Sequence, residues 1–176
     1  MPSPPVTFQN LAIPTHDAHF RLLGETPWEQ RIGRMGPTPR LVAWYGEGPY
    51  RYSSIHHEAR ALTPLLASLK EIVEERANAK FQGVLLNYYK GGQNSVAWHS
   101  DDEPEMGPVV ASLTFGAARM FKLRQKNDHQ DVHDFTLGDA DLLVMLAGCQ
   151  AEWEHCIPKT KRSVGPRINL TFRQLV

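Results

Sequence analysis

From residue 81 to its last residue, the chain is a succession of short β-prone runs cut by Gly, Pro, Asn and Asp. The runs fall at residues 84–89, 96–99, 109–115, 120–124, 134–137, 141–146 and 168–173. Before them stands one strongly periodic helix, expected over residues 57–79. In it Leu62, Leu65, Leu66, Leu69, Ile72 and Val73 recur at three and four and form one apolar stripe. Pro64 fits its first turn, where a missing N–H costs little. Many short strands after one long helix point to a sandwich or jelly roll with helices on one side. The expected class is α+β, mainly β, with one long flanking helix.

The remainder of the N-terminal half is plainer. Residues 1–14 are proline-rich and expected to be irregular. A short helix is expected near residues 17–24, with Asp17 as its cap and Phe20 and Leu23 as its buried pair. Gly33, Gly36, Pro37 and Pro39 read as a loop before a strand at residues 40–45, and a second loop at 46–49 leads into Tyr50-Arg51-Tyr52. Neither a repeat nor a linker divides the chain. An irregular segment 1–14 followed by one domain over 15–176 is the expected organisation, and 176 residues suffice for one substantial core.

Charge and cysteine content narrow the function classes. Formal net charge is zero, so the totals do not announce a duplex-binding protein, which neutralises phosphates with excess Lys and Arg. Local basic groups occur at Arg31, Arg34 and Arg40, at Arg119, Lys122, Arg124 and Lys126, and at Lys159, Lys161 and Arg162. On charge alone each reads as a solvated face. No apolar run approaches the roughly 18 residues that a membrane helix needs. No secretory signal is visible, and Cys149 and Cys156 offer no disulfide framework, so a cytoplasmic setting is expected.

Chemistry concentrates in Trp98-His99-Ser100-Asp101-Asp102-Glu103. On a strand, His99 and Asp101 project to one side and Ser100 to the other. An imidazole beside a carboxylate supplies two of the three ligands of a facial triad, which suits ferrous iron because open positions remain for co-substrate and oxygen. His155 is the candidate third ligand. A His-x-Asp pair by itself is more often a surface ion pair. Zinc held by His155, Cys149 and Cys156 is the alternative, although that spacing matches no familiar zinc pattern.

The segment Arg167-Ile168-Asn169-Leu170-Thr171-Phe172-Arg173 alternates strictly, with the two arginines, Asn169 and Thr171 on one face. Two guanidiniums on an inward face require an anion. Six residues at about 3.3 Å each separate the two Cα atoms by roughly 20 Å, so converging heads would leave room for a short dicarboxylate held at both ends. A solvated face on an edge strand is the competing account. Asn87 and Tyr89, two apart, are further donors for the same anion. Tyr50 and Tyr52 repeat that spacing, as stacking groups for a planar substrate or as packing.

With these pieces placed, the sequence resembles the AlkB family of iron- and 2-oxoglutarate-dependent dealkylating dioxygenases, from about residue 20 onward. The resemblance rests on Asn87-Tyr88-Tyr89, Trp98-His99-Ser100-Asp101-Asp102-Glu103-Pro104, Ala111-Ser112-Leu113-Thr114-Phe115-Gly116, Trp153-Glu154-His155 and Pro166-Arg167-Ile168-Asn169-Leu170-Thr171-Phe172-Arg173. It lies closest to the branch carrying Trp44-Tyr45-Gly46-Glu47 and Pro49-Tyr50-Arg51-Tyr52-Ser53.

The resemblance implies a double-stranded β-helix, a jelly-roll variant. It implies iron(II) on His99, Asp101 and His155, with 2-oxoglutarate and O2 as co-substrates. The keto acid would be lined by Asn87, Tyr89, Arg167, Asn169, Thr171 and Arg173. Tyr50 and Tyr52 match the aromatic segment that holds the damaged base. Asp102 and Glu103 match acidic positions near the base, Asp102 joining Asp101 among the catalytic residues, and Arg124 falls near a substrate contact of some members.

The implied activity is oxidative demethylation of 1-methyladenine- and 3-methylcytosine-type bases in DNA or RNA, with release of formaldehyde and with no membrane partner. Such chemistry needs the base unstacked or supplied single-stranded. Where duplex-acting relatives carry an apolar wedge, residues 33–40 offer only Met35 as a bulky apolar residue. A single-stranded substrate is therefore expected; a monomeric enzyme is expected as well. The alternatives are a dioxygenase of the same fold acting on a protein or small molecule, and a non-catalytic binder of single-stranded nucleic acid.

Overall fold

The computed structural model describes residues 2–33, 36–48, 50–52 and 55–176, with backbone alone for residues 50–52, 55 and 56. In chain order the elements are β1 (Val6–Asn10), α1 (His16–Glu25), β2 (Glu29–Gly33), β3 (Gly36–Gly46), β4 (Tyr50–Tyr52), β5 (Ile55–His57), α2 (Pro64–Ala77), β6 (Gly83–Tyr89), β7 (Val96–His99), β8 (Met106–Gly116), β9 (Arg119–Gln125), β10 (Val132–Leu137), β11 (Asp141–Met145), α3 (Cys149–Glu152), β12 (Trp153–Ile157) and β13 (Arg167–Leu175).

A seven-stranded sheet runs in the order β1-β11-β8-β13-β6-β3-β2, and a four-stranded sheet in the order β10-β9-β12-β7. Every pairing between described strands is antiparallel. Period-two alternation gives the large sheet two working faces. Val84, Leu86, Leu113, Phe115, Leu142, Ile168, Leu170 and Phe172 point to one side and pack under the helices with Leu22, Leu66, Leu69 and Val73. On the other side Tyr89, Val110, Leu143 and Met145 meet Phe121, Leu123, Leu137, Trp153 and Ile157 of the small sheet. Two facing antiparallel sheets with helices on the outer face of one make the expected jelly roll.

The long helix is shorter than its apolar pattern. It begins at Pro64, not at residue 57, because the residue before a proline is steered out of the α region and residues 55–57 are committed to the β4–β5 hairpin. Thr63 adopts an extended backbone there, and its hydroxyl accepts the Leu66 N–H at 3.2 Å. At the far end Asn78 closes the helix in the left-handed region, with φ 49°.

Three further expectations are corrected. Residues 1–14 are not irregular throughout: Pro2, Pro4 and Pro5 precede a proline-free stretch that pairs along β11 as an edge strand. Gly33 and residues 36–39 do not belong to a loop, since they lie in β2 and β3, which pair with each other and include Pro37. The proline is tolerated because the pairing is irregular between Gln30 and Ile32, and β3 meets its second neighbour, β6, only from Leu41 onward. In α1 the N-cap is Thr15, whose hydroxyl is taken by the Asp139 carboxylate; Asp17 lies in the first turn, Ala18 and Leu22 are buried, and Phe20 is 74% exposed. His155 stands on a strand of its own, β12.

Gly83 is dictated by packing. A Cβ on Gly83 would sit 2.3 Å from the Trp44 ring, on the face where Trp44 and Leu85 close the open end of the large sheet.

Candidate metal centre and anion pocket

The small sheet brings the three candidate ligands together. His99 ends β7 directly opposite His155 of β12, and their rings are 4.2 Å apart between centres. Asp101 lies two residues beyond the strand, with Oδ1 3.7 Å from His99 Nε2 and Oδ2 3.4 Å from His155 Nε2. All three ligand atoms fall within 4.8 Å of one another. Distances of 3.4–3.7 Å are too long for good hydrogen bonds, so neither imidazole satisfies the buried Asp101 carboxylate, whose close protein partner is Arg173. Two imidazoles and one carboxylate facing a common point, too far apart to satisfy one another, fit a divalent iron with open positions.

Electrostatics favour the ligating forms. Burial, then the neighbouring His155, hold the His99 imidazole down to about 3, so it is neutral near pH 7. Its Nδ1 lies 2.7 Å from the Ala97 carbonyl, which places the proton there and leaves the Nε2 lone pair facing Asp101. Burial would push the Asp101 carboxyl up. The Arg173 guanidinium, with Nη1 2.8 Å from Oδ1, and the two imidazoles outweigh it and hold the group well below the usual carboxylate range. Phe121 stacks on His155 at 5.2 Å and walls one side of the centre.

The anion pocket is the inner face of the large sheet. Because β13 lies between β8 and β6, its inward row is buried and the edge-strand alternative is excluded. Arg167, Asn169, Thr171 and Arg173 line one cavity with Asn87, Tyr89, His99, Asp101 and His155. Asn169 is fixed from both sides: Nδ2 donates to Ser112 Oγ at 2.6 Å, and Oδ1 accepts from Thr171 Oγ1 at 2.6 Å and from Asn87 Nδ2 at 3.3 Å. Arg167 is 1% exposed; its Nη2 donates to Thr114 Oγ1 at 3.0 Å, while Nε and Nη1 have no hydrogen-bond partner. Its guanidinium lies over the Tyr89 ring at 5.0 Å. Burial pulls its pKa down from the usual arginine value, and a buried cation with two unmatched donors calls for an anionic ligand.

The residues assigned to substrate are less uniform. Tyr50 and Tyr52 lie on β4, but their rings are outside the described side chains, and Met35 is outside the described residues. Asp102 is 60% exposed at the side chain and faces Lys126 at 3.4 Å. Glu103 is half-buried; burial, and then Asp101, raise its carboxyl above the ordinary value, and Oε2 has no hydrogen-bond partner. Arg124 does not line the cavity. It is in register with Glu154, one step from the Leu123–His155 pair, and therefore on the opposite face of the small sheet. There it pairs with Glu154 at 2.6 Å and covers the Trp98 ring at 4.0 Å.

Arg40 is the site residue that sequence reasoning missed. It lines the cavity at 7% exposure and donates from Nε to Asn87 Oδ1 at 2.8 Å, which extends the amide ladder across three strands. On charge alone it reads as one of a basic group beside Arg31 and Arg34. The available signal was its position at the head of an apolar strand, where a charged side chain is seldom free of a partner.

The family model for the 2OG-Fe(II) oxygenase superfamily matches residues 14–173. The alpha-ketoglutarate-dependent dioxygenase alkB homolog 3 of Mus musculus is 44% identical over 168 residues, covering 87% of this chain and 59% of its own length. The DNA oxidative demethylase ALKBH2 of Mus musculus is 33% identical over 158 residues, covering 84% of this chain and 66% of its own. This chain thus spans about three fifths of the first relative. The solved structure of OsALKBH1 superposes with a TM-score of 0.74 at 15% identity, over 99% of this chain and 98% of that one, a likeness of fold.

Proposed function

This chain belongs to the 2OG-Fe(II) oxygenase superfamily, and from that premise we propose that it removes N-methyl groups oxidatively from 1-methyladenine- and 3-methylcytosine-type bases in nucleic acid, favouring single strands and releasing formaldehyde. The observation that carries the reading is the meeting of His99, Asp101 and His155 with Arg167 and Arg173 in one cavity. The names of the alkB homolog 3 and ALKBH2 relatives support the substrate class. Zero net charge supports the single-stranded preference, because fewer phosphate contacts are available.

Bound iron(II) would supply the coupling of O2 to oxidation of 2-oxoglutarate and of the methyl group. The protein's own part is positioning. His99 Nε2, an Asp101 oxygen and His155 Nε2 form the ligand face. Arg167 offers two free donors to the far carboxylate of the keto acid, and Arg173 holds Asp101 ionised at the near end. Val96, Phe121, Met145 and Ile157 line the walls and keep water from the reacting groups. Asp102 and Glu103, which follow the ligand Asp101 in sequence, would meet a base whose ring carries positive charge after methylation. We place this activity in a monomer in the cytoplasm.

The test is succinate and formaldehyde release from a 3-methylcytosine oligonucleotide, single- and double-stranded, with iron(II) and 2-oxoglutarate, by the wild type and by Asp101→Ala. Turnover by the wild type and none by the variant is expected, with single strands preferred. Turnover on a protein or small molecule but on no methylated base would defeat the proposal, as would oligonucleotide binding without turnover by iron-loaded protein. Gel filtration and cell fractionation check the monomer and the compartment.

A further inference from the structure

Asp101 has no strand to hold it. Strand β7 ends at His99, so the backbone of the carboxylate ligand is not fixed by a ladder. Its N–H instead donates to Gln150 Oε1 at 2.8 Å, and the preceding Ser100 hydroxyl donates to the Trp153 carbonyl at 2.9 Å. Gln150 is only 7% exposed. It sits in the single turn α3, which Gly148 opens at φ +93° and which leads directly into the strand of His155.

Both ends of the Gln150 amide are committed. Nε2 donates to Met145 Sδ at 3.3 Å, so the oxygen, not the nitrogen, is turned to Asp101. The Gln150 carbonyl accepts from Lys126 Nζ at 2.7 Å, and the same ammonium faces Asp102 at 3.4 Å. The turn is thereby anchored to the residue that follows β9 and to the residue after the ligand. A buried amide that spends its acceptor on one backbone N–H rather than on its own turn is doing geometric work for the residue that owns that N–H.

We propose that Gln150 is a positioning residue for the metal centre, fixing the Asp101 main chain so that its carboxylate faces His99 and His155. The proposal rests on the reading of those three residues as a metal site. Outer partners that orient a ligand influence metal affinity by about tenfold to hundredfold.

The test titrates metal-free protein with cobalt(II), reading affinity and the visible d–d bands, beside thermal unfolding of the metal-free protein. Gln150→Leu keeps the volume and removes the acceptor; Gln150→Ala removes both; Gln150→Glu keeps an acceptor at the same reach. Leu and Ala variants are expected to bind cobalt about tenfold to hundredfold more weakly with altered bands, and Glu to stay within about threefold of wild type. Should Gln150→Leu fail to fold, Gln150→Ala carries the comparison. Wild-type affinity and bands in the Leu or Ala variant, with only the metal-free stability lowered, would show a merely structural amide and overturn the proposal. Equal losses in Glu and Leu would do the same. Failure of the metal-site reading looks different: wild type and Asp101→Ala would bind cobalt alike, and the proposal would fall with it.

Discussion

The guanidinium of Arg173 stands 2.8 Å from Oδ1 of Asp101, both residues nearly sealed from solvent, and this contact joins the anion pocket to the metal centre. It keeps the carboxylate ionised where burial would otherwise protonate it. One residue of the inward row of β13 therefore serves the ligand set while Arg167, at the other end, is left with unmatched donors.

Removing that cation should be costly even without metal or keto acid. Arg173→Met leaves a buried carboxylate without its cation, and a loss of about 3–5 kcal/mol in unfolding free energy is expected. Urea denaturation of the metal-free protein measures it. A change under about 1 kcal/mol would mean that the pair is not buried as described.

Arg167 should act on the keto acid alone. Truncating one partner of a buried charge pair costs about 2–5 kcal/mol, so Arg167→Ala should weaken 2-oxoglutarate binding by about thirtyfold or more while cobalt(II) affinity stays near wild type. Calorimetric titration with each ligand separates the two. Equal loss of metal binding would count against this division of labour.

Metal should also stabilise the fold. Binding to the native state alone adds about 2.7 kcal/mol at a hundredfold excess over Kd. Manganese(II) is thus expected to raise the melting temperature of the wild type and chelation to reverse it, with no shift in Asp101→Ala. A thermal scan with and without chelator decides the point.

Glu74 gives a pH signature distant from the site. Burial would raise its carboxyl, but Lys70 at 2.8 Å, Lys80 at 2.9 Å and the Phe81 N–H at 2.9 Å prevail and hold it at about 2 against an ordinary 4.5. A depressed folded pKa contributes stability that is full above the unfolded value and is lost as pH falls through the folded one, here between about 4.5 and 2. Glu74→Gln should cost about 1–3 kcal/mol at pH 7 and flatten the decline in that window. Parallel melts of both proteins from pH 7 to 2 read the difference; identical slopes would refute it.

Arg119 should prove structural. Its buried guanidinium donates to the carbonyls of Gly91, Asn94 and Pro158 at 3.2, 2.9 and 2.7 Å, tying the loop after β6 to the segment after β12. Arg119→Met removes the donor from the Asn94 and Pro158 carbonyls, while Gly91 keeps the Asn94 N–H, and about 2–4 kcal/mol of stability should be lost. Limited proteolysis cutting near residues 90–95 is the accompanying sign.

The sequence by itself determined what is local or periodic. Alternation along residues 167–173 put both arginines on one face before any fold was known, the short runs after residue 81 announced the sheets, and the His99-Ser100-Asp101 spacing marked the ligands. The limits of those elements were set by neighbours: β1 pairs only because β11 lies open beside it, and α2 starts late because the β4–β5 hairpin claims residue 57. Only the tertiary structure decided that β13 is central rather than an edge, that Arg124 faces away from the cavity, and that Arg40 and Gln150 serve the site. The physical reason is common to all of these. A strand's two faces are written in its own alternation, but which face meets another sheet, and which distant backbone N–H a buried amide satisfies, depends on long-range pairing that no local pattern encodes.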